Sequence, residues 1–127
     1  MVKNQIEFNE KHPKEKKEKT IRIRDEKNFK GQLVVENYPN LKKLYLRGVK
    51  CVDKLILKDL TQLQECFILD CNTKDLVIEN CSQLKKIDVE NNLLTSLEFL
   101  KDLENLEELK LGGNTELVKV LEAYQGD

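Results

Sequence analysis

In the stretch LKKLYLRGV, residues 41–49, leucines fall at offsets 0, 3 and 5 and another apolar residue at offset 8. The same frame returns as LQECFILDC at 63–71, LKKIDVENN at 84–92 and LEELKLGGN at 106–114, so its start advances by 22, 21 and 22 residues. No other feature constrains the fold as much. A unit of that length cannot bury its own apolar face, so successive units must stack and share a core.

Pairs of apolar residues two apart also recur at half the period. They are Ile21/Ile23, Leu33/Val35, Leu44/Leu46, Leu55/Leu57, Cys66/Ile68, Leu76/Ile78, Ile87/Val89 and Leu109/Leu111. Period-2 alternation over short runs predicts strands. Turn-forming clusters lie between them: NYPN, RGVK, DCN, ENN and GGN. The rhythm changes after Leu97, at LEFLKDLEN. The expectation is a short solenoid of about four 21–22-residue coils, with parallel strands on two sides and little helix. Residues 1–30 read as an N-terminal cap of helix and strand, and residues 31–127 as one continuous solenoid. The helical candidates are 4–19, 97–105 and 115–124. Asn92 and Asn114 stand where a side-chain amide bonds to the backbone of the turn leaving the strand. Cys71 and Val49 hold that place in the other two coils, so the ladder is incomplete.

The pattern LxxLxLxxN, in register over residues 41–114, resembles the leucine-rich repeat. The last coil, LLTSLEFLKDLENLEELKLGGN, is similar to the 22-residue repeat of intracellular phosphatase regulators, whose second side is built of short helical turns. The earlier coils differ, because LVVENYPN, LILKDLTQ and LVIENCSQ put a second strand there. The segment ahead of residue 41 resembles the opening of leucine-rich-repeat domains in a large intracellular fungal family. In that family a short helix ending in a Tyr-Pro-like dipeptide precedes the first strand; here His12-Pro13 stands in that place. The resemblance implies a recognition domain, one that in such proteins often accompanies other domains.

Charge and chemistry narrow the function. The chain has 127 residues, and its 22 basic and 23 acidic side chains leave a formal net charge of −1. That balance argues against a dedicated nucleic-acid or membrane-surface protein. No apolar run approaches the about 18 residues of a membrane span, and MVKNQIEFNE lacks the apolar core of a signal peptide; both point to a cytoplasmic protein. The spacings among Cys51, Cys66, Cys71 and Cys81 fit neither a zinc site nor a disulfide framework, so the cysteines read as free, buried, small hydrophobes. His12, in the charged run KHPKEKKEK, reads as solvated. Without a second histidine, a catalytic triad has no base. Phosphate-binding glycine motifs are absent, and NCS at 80–82, with Cys81 facing inward, reads as a coincidental glycosylation pattern. The sequence therefore predicts no catalytic residue, no metal and no cofactor.

What remains is surface. On the LxxLxLxx strands the residues between the buried ones face outward. The candidate partner-binding set is Tyr45, Arg47, Glu65, Phe67, Leu69, Lys86, Asp88, Glu90 and Lys110. Arg22, Tyr45, Phe67, Asp88 and Lys110 should form its central column. Outward aromatic residues rimmed by charge mark a protein-binding face; they also pack well across neighbouring strands without any partner. The opposite side offers a second row, Val34, Ile56 and Val77, with Lys54 beside Asp75 and Lys58 between Glu36 and Glu79. The expected function is non-catalytic recognition of a protein partner through the LxxLxLxx face, by a monomer or weak homodimer. The alternative is a scaffold, sensing or self-association module of a larger signalling protein.

Overall fold

The computed structural model describes residues 2–50 and 52–117. Its strands are β1 (Thr20–Arg24), β2 (Leu33–Glu36), β3 (Lys43–Arg47), β4 (Lys54–Lys58), β5 (Glu65–Leu69), β6 (Asp75–Glu79), β7 (Lys86–Asp88) and β8 (Glu108–Lys110). They sort into two parallel sheets, one five-stranded in the order β1-β3-β5-β7-β8 and one three-stranded in the order β2-β4-β6. The fold is thus a parallel-strand solenoid of about four turns. Register aligns Ile21, Leu44, Cys66, Ile87 and Leu109 across one sheet. It aligns Leu33, Leu55 and Leu76 across the other. The inward residues of both sheets belong to one buried cluster, which is why the period survives: a slip by one residue would turn every leucine outward.

Each coil has two corners, and each corner needs a residue with left-handed backbone. Asp25, Gly48, Asp70, Asn91 and Gly113 follow the strands of the five-stranded sheet; Asn37, Asp59 and Asn80 follow those of the three-stranded one. Asp102 takes the equivalent place in the last coil. These are Gly, Asn and Asp because only those types enter that region at little cost. Gly113 is further required by space, since an added Cβ would collide with Asn91.

Behind these corners lies a ladder of side chains that bond backbone. Asn92 is 2% exposed. Its Oδ1 accepts from the N–H groups of Cys71 (3.1 Å) and Thr73 (3.2 Å). Its Nδ2 donates to the carbonyls of Ile68 (2.6 Å) and Val89 (2.9 Å). Asn114 repeats this one coil later, accepting from Leu94 N–H at 3.1 Å and donating to Val89 and Leu111 carbonyls at 2.9 and 2.8 Å. Cys71 holds the same place with a weaker group: its thiol donates to the Leu69 carbonyl at 3.2 Å. Cys81 does likewise on the other side, with Glu79 at 3.3 Å.

The ends depart from the sequence reading. β1, the strand expected within the N-terminal cap, is the first strand of the five-stranded sheet, and it is the helical candidates and His12 that differ. The helix expected over 4–19 is α1 (Gln5–Lys11) followed by a 3-10 turn at Lys14–Lys16. Asn4 starts α1, its Oδ1 accepting from Glu7 N–H at 2.9 Å. His12 ends it and is not solvated. The ring is buried against Phe8, 5.1 Å between centroids, and its Nδ1 lies 2.8 Å from Glu18 Oε2. Tyr38 fixes the same residue by donating its hydroxyl to the His12 carbonyl at 2.6 Å. Charge density hid this, because three apolar-bodied rings, not a periodic stripe, dock the cap. In the last coil the second side carries a 3-10 turn at Glu98–Leu100 in place of a strand, with Phe99 buried beneath. Residues 115–117 are helical; the rest of the helix expected over 115–124 lies outside the described residues.

Two substitutions test the ladder. Asn92→Ala strands two buried N–H donors and should cost about 2 kcal/mol or more in urea melts. Thr73→Val should be neutral or mildly stabilising, because the Thr73 hydroxyl is buried without a partner among the described residues. A marked loss on Thr73→Val would mean the hydroxyl is bonded after all.

Candidate functional site

The five-stranded sheet turns its alternate residues outward. Register places Arg22, Tyr45, Phe67, Asp88 and Lys110 on successive strands, forming the central column. Tyr45 and Phe67 stack with ring centroids 5.8 Å apart at 46°. Both are half-buried, and the cause is other side chains of the same face. The guanidinium groups of Arg22 and Arg24 lie 5.1 and 5.5 Å over the Tyr45 ring. The ammonium groups of Lys43 and Lys86 each lie 5.2 Å from the Phe67 centroid. The surface is therefore a cation-roofed aromatic pair and not a bare apolar patch. Contacts of this kind contribute about 0.5–1 kcal/mol each when exposed.

The remaining candidates surround this pair. Arg47 and Leu69 are in register beside it. Leu69 is half-buried and Arg47 exposed. A hydrogen bond with the Tyr45 hydroxyl, and then the Asp70 carboxylate, raise the Arg47 pKa; Asp70 is 3.9 Å away. Glu65, Lys86 and Glu90 are half-buried and Lys110 exposed. Lys86 donates to Glu108 at 2.8 Å, and that hydrogen bond lowers the Glu108 pKa. Asp88 needs correction as a contact residue. It stands in the column but is 7% exposed, since its carboxylate turns onto its own strand end and accepts from Glu90 N–H at 3.2 Å. Arg24 is a member the sequence reading left out; the alternation in TIRIR was its signal.

Charge on this face is polarised. The outward residues of β1 and β3 include Arg22, Arg24, Lys43 and Arg47, and no carboxylate. Beyond Phe67 the face mixes Glu65, Glu90 and Glu108 with Lys86 and Lys110. Arg22, Arg24 and Lys43 have no carboxylate within 4 Å among the described residues, where the close ion pairs are Arg47–Asp70, Lys86–Glu108 and His12–Glu18. On the opposite sheet the Val34, Ile56 and Val77 row is in register and half-buried. Lys54 aligns with Asp75, and Lys58 with Glu36 and Glu79, without closing to 4 Å. A cleft of about 590 Å³ lies between α1 and β2, lined by Gln5, Asn9, His12, Val34, Glu36 and Tyr38 among others.

Nucleophile chemistry finds no support in the thiols. Cys66, Cys71 and Cys81 are free and buried; Cys51 lies outside the described residues. Burial pushes the Cys66 thiol up, and the Cys71 thiol up to about 11. It raises the Cys81 thiol as well. Among the described residues no group of three or more His, Cys, Asp and Glu could hold a metal ion, and no helix is long and apolar enough to cross a membrane. Neither a protein-family model, nor a curated protein, nor a solved structure matches the chain.

The thiols give a pH prediction. A thiol whose pKa is higher in the fold keeps its proton where the unfolded chain has released it. Its contribution is whole below about pH 8.5 and is lost as pH rises through the folded value. Urea midpoints should therefore fall between about pH 9 and 11, and Cys66→Val should flatten that fall by about one proton's worth of slope. An unchanged slope would show that Cys66 titrates normally. Native protein at pH 8 should react with a thiol reagent far more slowly at these three residues than urea-unfolded protein.

Proposed function

We propose that this chain is a non-catalytic recognition module of the leucine-rich-repeat kind, and that it binds a protein partner across the five-stranded face. The observation that carries the reading is the stacked Tyr45–Phe67 pair at the middle of that face, roofed by four cations. Three of those cations, Arg22, Arg24 and Lys43, lack a close carboxylate among the described residues. Aromatic and arginine side chains dominate interface energetics, and the aromatic rings bury large rigid areas at small entropic cost. A partner that brings carboxylates can lift the cations off the rings, pair with them, and pack on the aromatic surface beneath. The repeat supports the same reading, since stacked coils offer an extended rigid surface. The second reading is a self-association or scaffold module working through the Val34, Ile56 and Val77 row, whose strands carry no aromatic anchor.

Truncation separates binding from folding. Phe67→Ala should lower stability by about 1 kcal/mol, the scale of lost cross-strand contacts. At an interface anchor the same change costs about 2 kcal/mol or more, roughly thirtyfold in affinity. Leu46→Ala should instead cost roughly 2–5 kcal/mol in stability, because it empties a core position. The measurement is a denaturant melt of each variant beside retention of partners from a native lysate. Loss of partners on charge reversal at Lys54 and Lys58, with full retention by Phe67→Ala, would transfer the function to the opposite sheet.

A further inference from the structure

We propose that the cleft between α1 and β2 receives an extended polypeptide segment as an additional strand of the three-stranded sheet. That segment would carry a β-branched residue beside Val34 and a cation two positions on, beside Glu36. This site is separate from the five-stranded face.

Backbone direction comes first. β2 is the edge of its sheet. Asn37 donates its N–H to the Lys58 carbonyl at 3.2 Å. In a parallel ladder alternate residues address one neighbour, so Leu33, Val35 and Asn37 face β4, while Val34 and Glu36 turn their N–H and C=O groups to the free edge. Val34 is already answered by a side chain. Gln5 Oε1 accepts from Val34 N–H at 2.6 Å, and Gln5 Nε2 donates to the Val34 carbonyl at 2.9 Å. One primary amide thus supplies the acceptor and donor that a neighbouring strand's peptide groups would supply. Among the described residues Glu36 has no such stand-in, so an added strand pairs there directly and takes the place of the Gln5 amide at Val34, in the way sheet edges accept a further strand.

Space and side-chain chemistry agree. The cleft beside this edge has a volume of about 590 Å³, within the roughly 300–1,000 Å³ of ligand sites. Gln32, Val34 and Glu36 line one wall, Gln5 and Asn9 the other. Across the sheet, one outward row runs Val34, Ile56, Val77 and the next runs Glu36, Lys58, Glu79. Continued past β2, the first row calls for another β-branched residue and the second for a cation opposite Glu36. Glu15, also lining the cleft, adds to that preference, while Lys14 is drawn over the Tyr38 ring at 5.6 Å. Within this chain β4 carries the required pair, Ile56 and Lys58, and it already sits on the other side of β2.

The probe is therefore a fluorescein-labelled peptide, VDKLILKDLT, copying residues 52–61. Added to the full chain, it should show saturable anisotropy, with amide shifts at Val34–Glu36 and in α1. A peptide with glutamate in place of its second lysine should bind about five- to tenfold more weakly. Glu36→Lys should reverse that preference, and a Tyr45→Ala/Phe67→Ala variant should bind both peptides as wild type does. Loss of both peptides in that double variant, with shifts along β3 and β5, would place the peptide on the five-stranded face and overturn the edge site while leaving the recognition reading intact. Indifference to the Glu36 and glutamate exchanges, or dimerisation of the chain without peptide binding, would overturn it too.

Discussion

The whole molecule depends on closing the backbone at its corners. A parallel ladder satisfies the strands, but every coil must also reverse twice, and each reversal exposes N–H and C=O groups with no strand to meet them. Two devices deal with this. Left-handed residues such as Asp25, Asp70 and Asn91 turn the chain, and buried side chains such as Asn92 and Asn114 bond the groups the turn leaves behind. Once the corners repeat at the same phase, the leucines fall into register and the core follows. Leu44 and Leu55 are fully buried because their coils begin and end alike.

The same economy shapes the surface. Rigid strands hold outward residues in fixed columns, so a side chain's neighbours are set by its register. Tyr45 and Phe67 meet because β3 and β5 align; Arg22 and Lys86 close over them from the flanking strands β1 and β7, and Lys43 reaches Phe67 from β3 itself. Four cations over two rings keep apolar area from water without removing it from use. This is a surface that a monomer tolerates and a partner can open. Sheet edges follow the same logic at the N-terminus, where Gln5 imitates a strand that is not there.

Much of this was legible in the sequence, and the exceptions have physical causes. The strands, their two-sided arrangement and the column through Tyr45 and Phe67 follow from period 2 nested in period 22, a signal that survives individual replacements such as Cys66 for leucine. His12 was misread because its burial depends on Phe8, Glu18 and Tyr38, residues related by no common period. Asp88 was misread because alternation gives the side of a strand and not the local hydrogen bond that draws the carboxylate down onto Glu90. The roof over Phe67 was invisible for a related reason: long cationic side chains lie across strands, and sequence adjacency does not show their reach.

The corner ladder is graded along the chain. In successive coils the place is held by Val49, which offers no polar group, then by the Cys71 thiol, then by the Asn92 and Asn114 amides. In a one-dimensional assembly each coil is held mainly by its neighbours, so a weak rung localises opening in place of spreading it. The C-terminal coils have the strongest rungs, and the first coil has α1 and its docked rings. The second coil, around Val49, has neither. Amide protons there should exchange through local openings well below the global unfolding energy, making the joint just inside the capped first coil, and not the C-terminal end, the hinge of the rod.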